Sequence, residues 1–174
     1  MRTWRGKVDL LANDYLMYSC EFELRNKDEL DFAVSLMKSI REGAVRRDCV
    51  APRVLKAARS VLAKAWSMSF EQDDVEAFEY SIDLGEDHLS GVLSFADSEH
   101  GDPYFVGVIV MELLKYRGDP SEIWTMTWAN TCDSMRVGHF SGGYVIVTAK
   151  GIQMECLEDI VGKRVSKRAK KERK

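Results

Sequence analysis

Cys132, Asp133 and His139 are the residue types of a thiol hydrolase, gathered within a short stretch of the chain. A histidine, or the Arg136 guanidinium, beside the sulfur would favour the thiolate, which is the form that attacks. The Gly142-Gly143 pair follows closely. Spacing alone does not bring His139 to the sulfur, and Cys132 fits equally as a core thiol beside Trp128. No catalytic residue is assigned on this basis. A non-enzymatic protein is preferred over a small enzyme whose site is dispersed along the chain.

Metal chemistry has less to work with. His88, His100 and His139, with Cys20, Cys49, Cys132 and Cys156, show none of the paired close spacings of structural zinc sites. Glu86-Asp87-His88 and the group Asp97, Glu99 and His100 fall on predicted loops and read as exposed turn residues. Asp73-Asp74-Val75-Glu76 lacks the alternating oxygen ligands and central glycine of a calcium loop. No phosphate-cradling glycine loop, dinucleotide fingerprint or nucleophile elbow occurs. Neither a metal nor a cofactor is expected.

Charge is the more informative signal. The 174 residues carry a formal net charge of −3, which excludes a uniformly basic nucleic-acid binder, but the sum conceals a segregation. Residues 161–174 hold eight basic residues against one glutamate, leaving residues 1–160 with 27 acidic and 17 basic side chains. Within that body Glu71, Asp73, Asp74, Glu76, Glu79, Asp83, Glu86, Asp87, Asp97, Glu99 and Asp102 form an acidic segment. They are expected on outward strand positions and turns, on one side of the molecule. Such a surface can attract a basic partner, including a protein that handles nucleic acid, and speed the encounter.

Basic residues mark a second candidate. Arg46, Arg47, Arg53, Lys56 and Arg59 lie on or before a predicted helix. Lys163, Arg164, Lys167, Arg168, Lys170, Lys171, Arg173 and Lys174 make the tail. Both could neutralise phosphates by counterion release, and the tail, having no aromatic residue, would do so without sequence preference. The plain alternative for every charged group is solvation, or for the tail, contact with the body's own carboxylates. The leading expectation is an inhibitor or accessory type of protein whose acidic surface engages a basic partner. Nucleic-acid association through the basic groups comes second.

The positioning elements follow from periodicity. Leu16–Leu24 alternates as a half-buried strand. Asn26 with Glu29 forms a helix N-cap signal, apolar residues then recur at helical spacing, and Gly43 is a stop, which predicts a helix over 27–42. Pro52 opens a second helix to about Trp66. Residues 76–83 and 88–96 read as a hairpin. Asp102-Pro103 introduces a helix over 104–116 that is apolar nearly all round.

Ile123–Trp128 is dense in strand formers, although Asp119 to Glu122 resembles a capping box, and the strand reading is preferred. Gly142-Gly143 reads as a bend. Residues 144–148 and 152–156 make a hairpin with Gly151 at a left-handed loop position. Four tryptophans, Trp4, Trp66, Trp124 and Trp128, are expected mainly in the core or in hairpin packing.

The prediction is one α+β domain over 1–160, a mostly antiparallel sheet packed by about three helices, with a basic tail over 161–174 that folding does not require. The apolar stretch from Tyr104 is interrupted by Glu112 and is too short to span a bilayer. Asp9 and Asp14 break any leader-like apolar run. These features predict a cytoplasmic, soluble protein with unbridged cysteines.

Overall fold

The computed structural model describes residues 14–43, 50–67, 75, 78–97, 102–132, 141–157 and 159–164. Among the described residues, six strands and three helices form an α+β architecture in the order β1 (Asp14–Leu24), α1 (Lys27–Arg41), α2 (Pro52–Ser67), β2 (Tyr80–Leu84), β3 (Gly91–Asp97), α3 (Pro103–Arg117), β4 (Ile123–Cys132), β5 (Ser141–Thr148) and β6 (Gly151–Cys156). A short helical segment covers 159–164. All strand pairings are antiparallel, and the order across the sheet is β2-β3-β1-β4-β5-β6.

β1 joins two blocks. Its residues 18–24 pair with β3, and its residues 14–17 pair with β4. Beyond Met17–Ala129 the ladder to β4 stops, and the Trp124 indole Nε1 donates to the Glu21 carbonyl at 2.8 Å.

The helices begin and end where local chemistry dictates. Asn26 Oδ1 accepts from the Glu29 amide at 3.0 Å, and Gly43 turns the chain left-handed at φ 64°. Asp102 Oδ1 accepts from the Tyr104 and Phe105 amides at 2.6 and 3.1 Å, Pro103 fills the first turn, and Gly118 closes α3 at φ 80°. α1 and α3 pack on one face of the sheet, and α2 lies against both helices. This explains why α3 is apolar nearly all round: eleven of its fifteen residues are buried, between the sheet and the other helices. Gly107 marks the close approach, since a Cβ there would lie 3.2 Å from Val145 and 3.4 Å from Ile152. Phe78 meets Phe105 edge-on at 5.0 Å, with Phe95 beside it. Each such buried side chain stabilises by roughly 1.5–3 kcal/mol.

An ion network ties the ends of four elements. Arg117, with 7% side-chain exposure, donates to Glu29 Oε1 at 2.9 Å and Oε2 at 2.7 Å, to the Glu23 carbonyl at 2.6 Å, and to Glu122 Oε1. Its guanidinium lies 4.6 Å from the centre of the Phe22 ring. Arg25 adds its amide to Glu29 and its guanidinium to Glu122. Sequence reasoning missed this network, because Arg117 and Glu29 are separated by 88 residues.

Three expectations are corrected. Gly151 is a strand residue paired with Thr148, not a left-handed loop glycine. The loop is Ala149-Lys150, closed by the Thr148 hydroxyl accepting from the Lys150 and Gly151 amides. Gly142 and Gly143 are likewise within β5, paired with Ala129 and Trp128. They are small because a Cβ at Gly143 would lie 2.7 Å from the Trp128 ring. Finally, the β2–β3 turn extends to Ser90, since Asp87 Oδ1 claims the Leu89 and Ser90 amides and leaves Leu89 exposed.

Candidate functional site

Alternation along the strands gives the sheet two chemically different faces. Phe22, Leu24, Leu93, Phe95, Met126, Trp128, Val145 and Val147 are buried under the helices. The intervening residues form the opposite face, on which Glu21, Glu23, Ser81, Asp83, Thr125 and Thr127 are exposed. Register then aligns side chains across strands. Glu21, Ser94 and Ser81 form one row, and Glu23, Val92 and Asp83 form the next. Glu21, Glu23 and Asp83 are exposed, as are Glu79 at the start of β2 and Glu86 and Asp87 in the following turn.

Four members of the predicted acidic group, Glu79, Asp83, Glu86 and Asp87, are thus brought to edge strand β2 and its turn. Glu21 and Glu23 join Asp83 from two strands away and were missed, although the alternation in β1 already marked them as outward. Arg25 Nε approaches Glu23 at 4.0 Å and offsets part of this charge. Hydrogen bonds from the Leu89 and Ser90 amides hold the Asp87 carboxyl below its ordinary range.

Asp102 has a local task, capping α3. Its replacement in Asp102→Ala is expected to cost about 1 kcal/mol in a denaturant titration. Asp97 is placed by its backbone, opposite Tyr18. Glu71, Asp73, Asp74, Glu76 and Glu99 lie outside the described residues.

The predicted basic group divides. Arg53, Lys56 and Arg59 are exposed on α2, and Arg164 is exposed on the last helical segment. Lys163 Nζ instead donates to Glu155 Oε1 at 2.8 Å, while Tyr144 Oη donates to Glu155 Oε2 at 2.8 Å. These two bonds hold the Glu155 carboxyl below its ordinary range, and the same contact raises the Tyr144 phenol. At least one tail cation therefore rests on the body's own carboxylate. Arg46, Arg47 and the tail from Lys167 onward lie outside the described residues.

Between the helices lies an open pocket of about 440 Å³. Arg53 and Lys56 from α2 and Lys115 from α3 line it, with Glu112 and Ser60 in its wall. Glu112 is 8% exposed, and its Oε1 accepts from Ser60 Oγ at 2.9 Å and Lys115 Nζ at 2.8 Å. Neither Lys115 nor Glu112 was singled out by sequence, because the helix carrying them reads as core.

The candidates for covalent and metal chemistry gain little. Cys132 is placed by its backbone at the end of β4, while Asp133, Arg136 and His139 lie outside the described residues. Cys20 is half-buried, and burial, aided by the Glu21 charge, pushes its thiol up to about 12, so it is a poor nucleophile. Among the described residues no three histidine, cysteine or acidic side chains gather to hold a metal ion. Among them, too, no helix is long and apolar enough to cross a membrane.

The structure thus defines an α+β protein with helices α1 and α3 packed on one face of its sheet and exposed acidic residues on the other face over the β2-β3-β1 block. Comparison with protein-family models, curated proteins and solved structures finds no match.

Proposed function

We propose that this chain is a non-enzymatic interaction protein that presents the acidic block of its open sheet face to a basic protein partner. The observation that carries this reading is the register, which gathers Glu21, Glu23 and Asp83 from strands remote in sequence onto one surface next to the carboxylates of the β2–β3 turn. Like charges so placed repel one another and cost stability. A cationic partner relieves that repulsion and is steered to the surface from a distance. A partner built to grip nucleic acid carries the matching charge, which is why an inhibitory or accessory role is favoured. A rigid sheet also holds the carboxylates in fixed positions, so little side-chain ordering is left for the binding step.

The test is charge reversal at Glu21→Lys, Glu23→Lys and Asp83→Lys together, with partners recovered from nuclease-treated native extract. The wild-type protein is expected to retain a basic protein whose capture weakens as salt rises. The triple variant should lose at least tenfold of that capture while melting within about 1 °C of wild type, since these side chains stand in solvent. Recovery of the same proteins by both forms, or no salt-sensitive capture by the wild type, would overturn the reading.

A further inference from the structure

The helix layer carries a site of opposite character, on the other side of the sheet from the acidic block. α2 runs past α3 with one stripe of residues turned towards it: Arg53 meets Tyr116, Ser60 meets Glu112 and Lys64 meets Met111. Arg53 and Lys56 have no carboxylate partner among the described residues, whereas Lys115 is paired with Glu112. Three cations thus border a concave space that holds one carboxylate.

Arg53 also has an aromatic neighbour. The Phe32 and Tyr116 rings stack with centroids 4.0 Å apart, and the Arg53 guanidinium lies 4.7 Å from the centre of Tyr116. Tyr116 thus offers the exposed Arg53 guanidinium a face to lie against, and a fork of this geometry suits oxyanions. Burial, with the Lys115 charge added, lowers the Lys64 ammonium from its ordinary range, consistent with crowding of positive charge along this groove.

We propose that this pocket binds a small phosphorylated sugar or polyol, its phosphate on Arg53, Lys56 and Lys115 and its hydroxyls towards Glu112 and Ser60. The volume falls within the usual range for small-molecule sites. The buried carboxylate sets the orientation, because it repels the phosphate and accepts from hydroxyl donors. Its Oε2 has no protein donor among the described residues and is available for that bond. A phosphodiester chain fits less well, since it needs cations spaced along a track, whereas these converge on one concavity from two helices. Arg59 supplies an internal control: it is exposed on α2 but does not line the pocket.

Calorimetric titration of the full chain with ribose 5-phosphate tests the proposal, with inorganic phosphate, ribose and a fifteen-residue oligothymidylate as comparison ligands. One ribose 5-phosphate is expected per chain, bound at least tenfold more tightly than phosphate or ribose. Arg53→Ala and Lys56→Ala should each weaken it at least tenfold, while Arg59→Ala changes it less than twofold. Both alanine variants remove solvent-facing charge, and unchanged melting would show that they fold. Absence of saturable binding, or binding no tighter than that of phosphate alone, would overturn the proposal. So would oligothymidylate binding that falls equally in Arg59→Ala and Lys56→Ala, which would identify an extended nucleic-acid surface instead. The acidic-face reading is untouched by any of these results, as it rests on other residues.

Discussion

Arg117→Met is expected to destabilise the protein by about 3–5 kcal/mol, because it leaves Glu29 and Glu122 as partly buried carboxylates without their shared cation. At this chain length such a loss corresponds to a melting temperature lower by on the order of 10 °C. Arg117→Lys should recover only part of it, since one ammonium cannot reach Glu29, Glu122 and the Glu23 carbonyl with the geometry of a guanidinium fork. The network also predicts a pH dependence. Burial alone would raise the Glu29 carboxyl, but hydrogen bonds from Arg117 and the Arg25 amide, with their charges, hold it below its ordinary range. A carboxyl depressed in the folded state contributes stability that is present above its unfolded pKa and is lost as pH falls through the folded value. Wild-type stability should therefore decline as pH drops below the ordinary glutamate range, and this acid limb should shrink in Arg117→Met. Urea midpoints measured at several pH values check both effects; a variant within 1 kcal/mol of wild type would show the network to be dispensable.

Gly143→Ala is expected to cost about 3 kcal/mol, the upper part of the usual range for overpacking. The added methyl would run into the Glu155 carbonyl of β6 and the Trp128 ring, and neither is the free end of a flexible side chain. Either the edge strand moves away or the indole leaves its place, where Trp128 is now 8% exposed. Tryptophan fluorescence should therefore shift towards that of a wetter indole. Gly151→Ala is the matched control: nothing lies within 4 Å of a Cβ there, and its effect should stay within about 0.5 kcal/mol. Equal effects at the two glycines would contradict the packing described for β5.

The elements were legible wherever punctuation and period agreed. Asn26, Gly43, Pro52 and Asp102 marked helix ends, and the strand reading of Ile123–Trp128 holds because Met126 and Trp128 turn under the helices. The Asp119 capping signal was ambiguous because an aspartate that accepts from Ser121 makes a turn as readily as a helix start. What periodicity lacked was long-range information. Glu21 and Glu23 could be read as outward but not as neighbours of Asp83, since that depends on two successive strand pairings. The pocket was hidden for a related reason: Lys115 and Glu112 belong to a helix whose composition speaks for core, and only the position of α2 reveals the edge left open.

The central place of β1 has a consequence for how the chain reaches this structure. Met17 must find Ala129, roughly 110 residues further on, while Cys20 must find Phe95. The β4-β5-β6 meander, by contrast, needs only neighbouring segments. Closure of the sheet is therefore dominated by distant pairings, which slow folding because the entropy of large loops is lost before the contacts form. On a growing chain β1 emerges ahead of every strand that will cover its edges. Both of its edges are open templates for other chains until β3 has been made, and one stays open until β4, so aggregation competes most strongly with folding while the segment between β1 and β3 is synthesised.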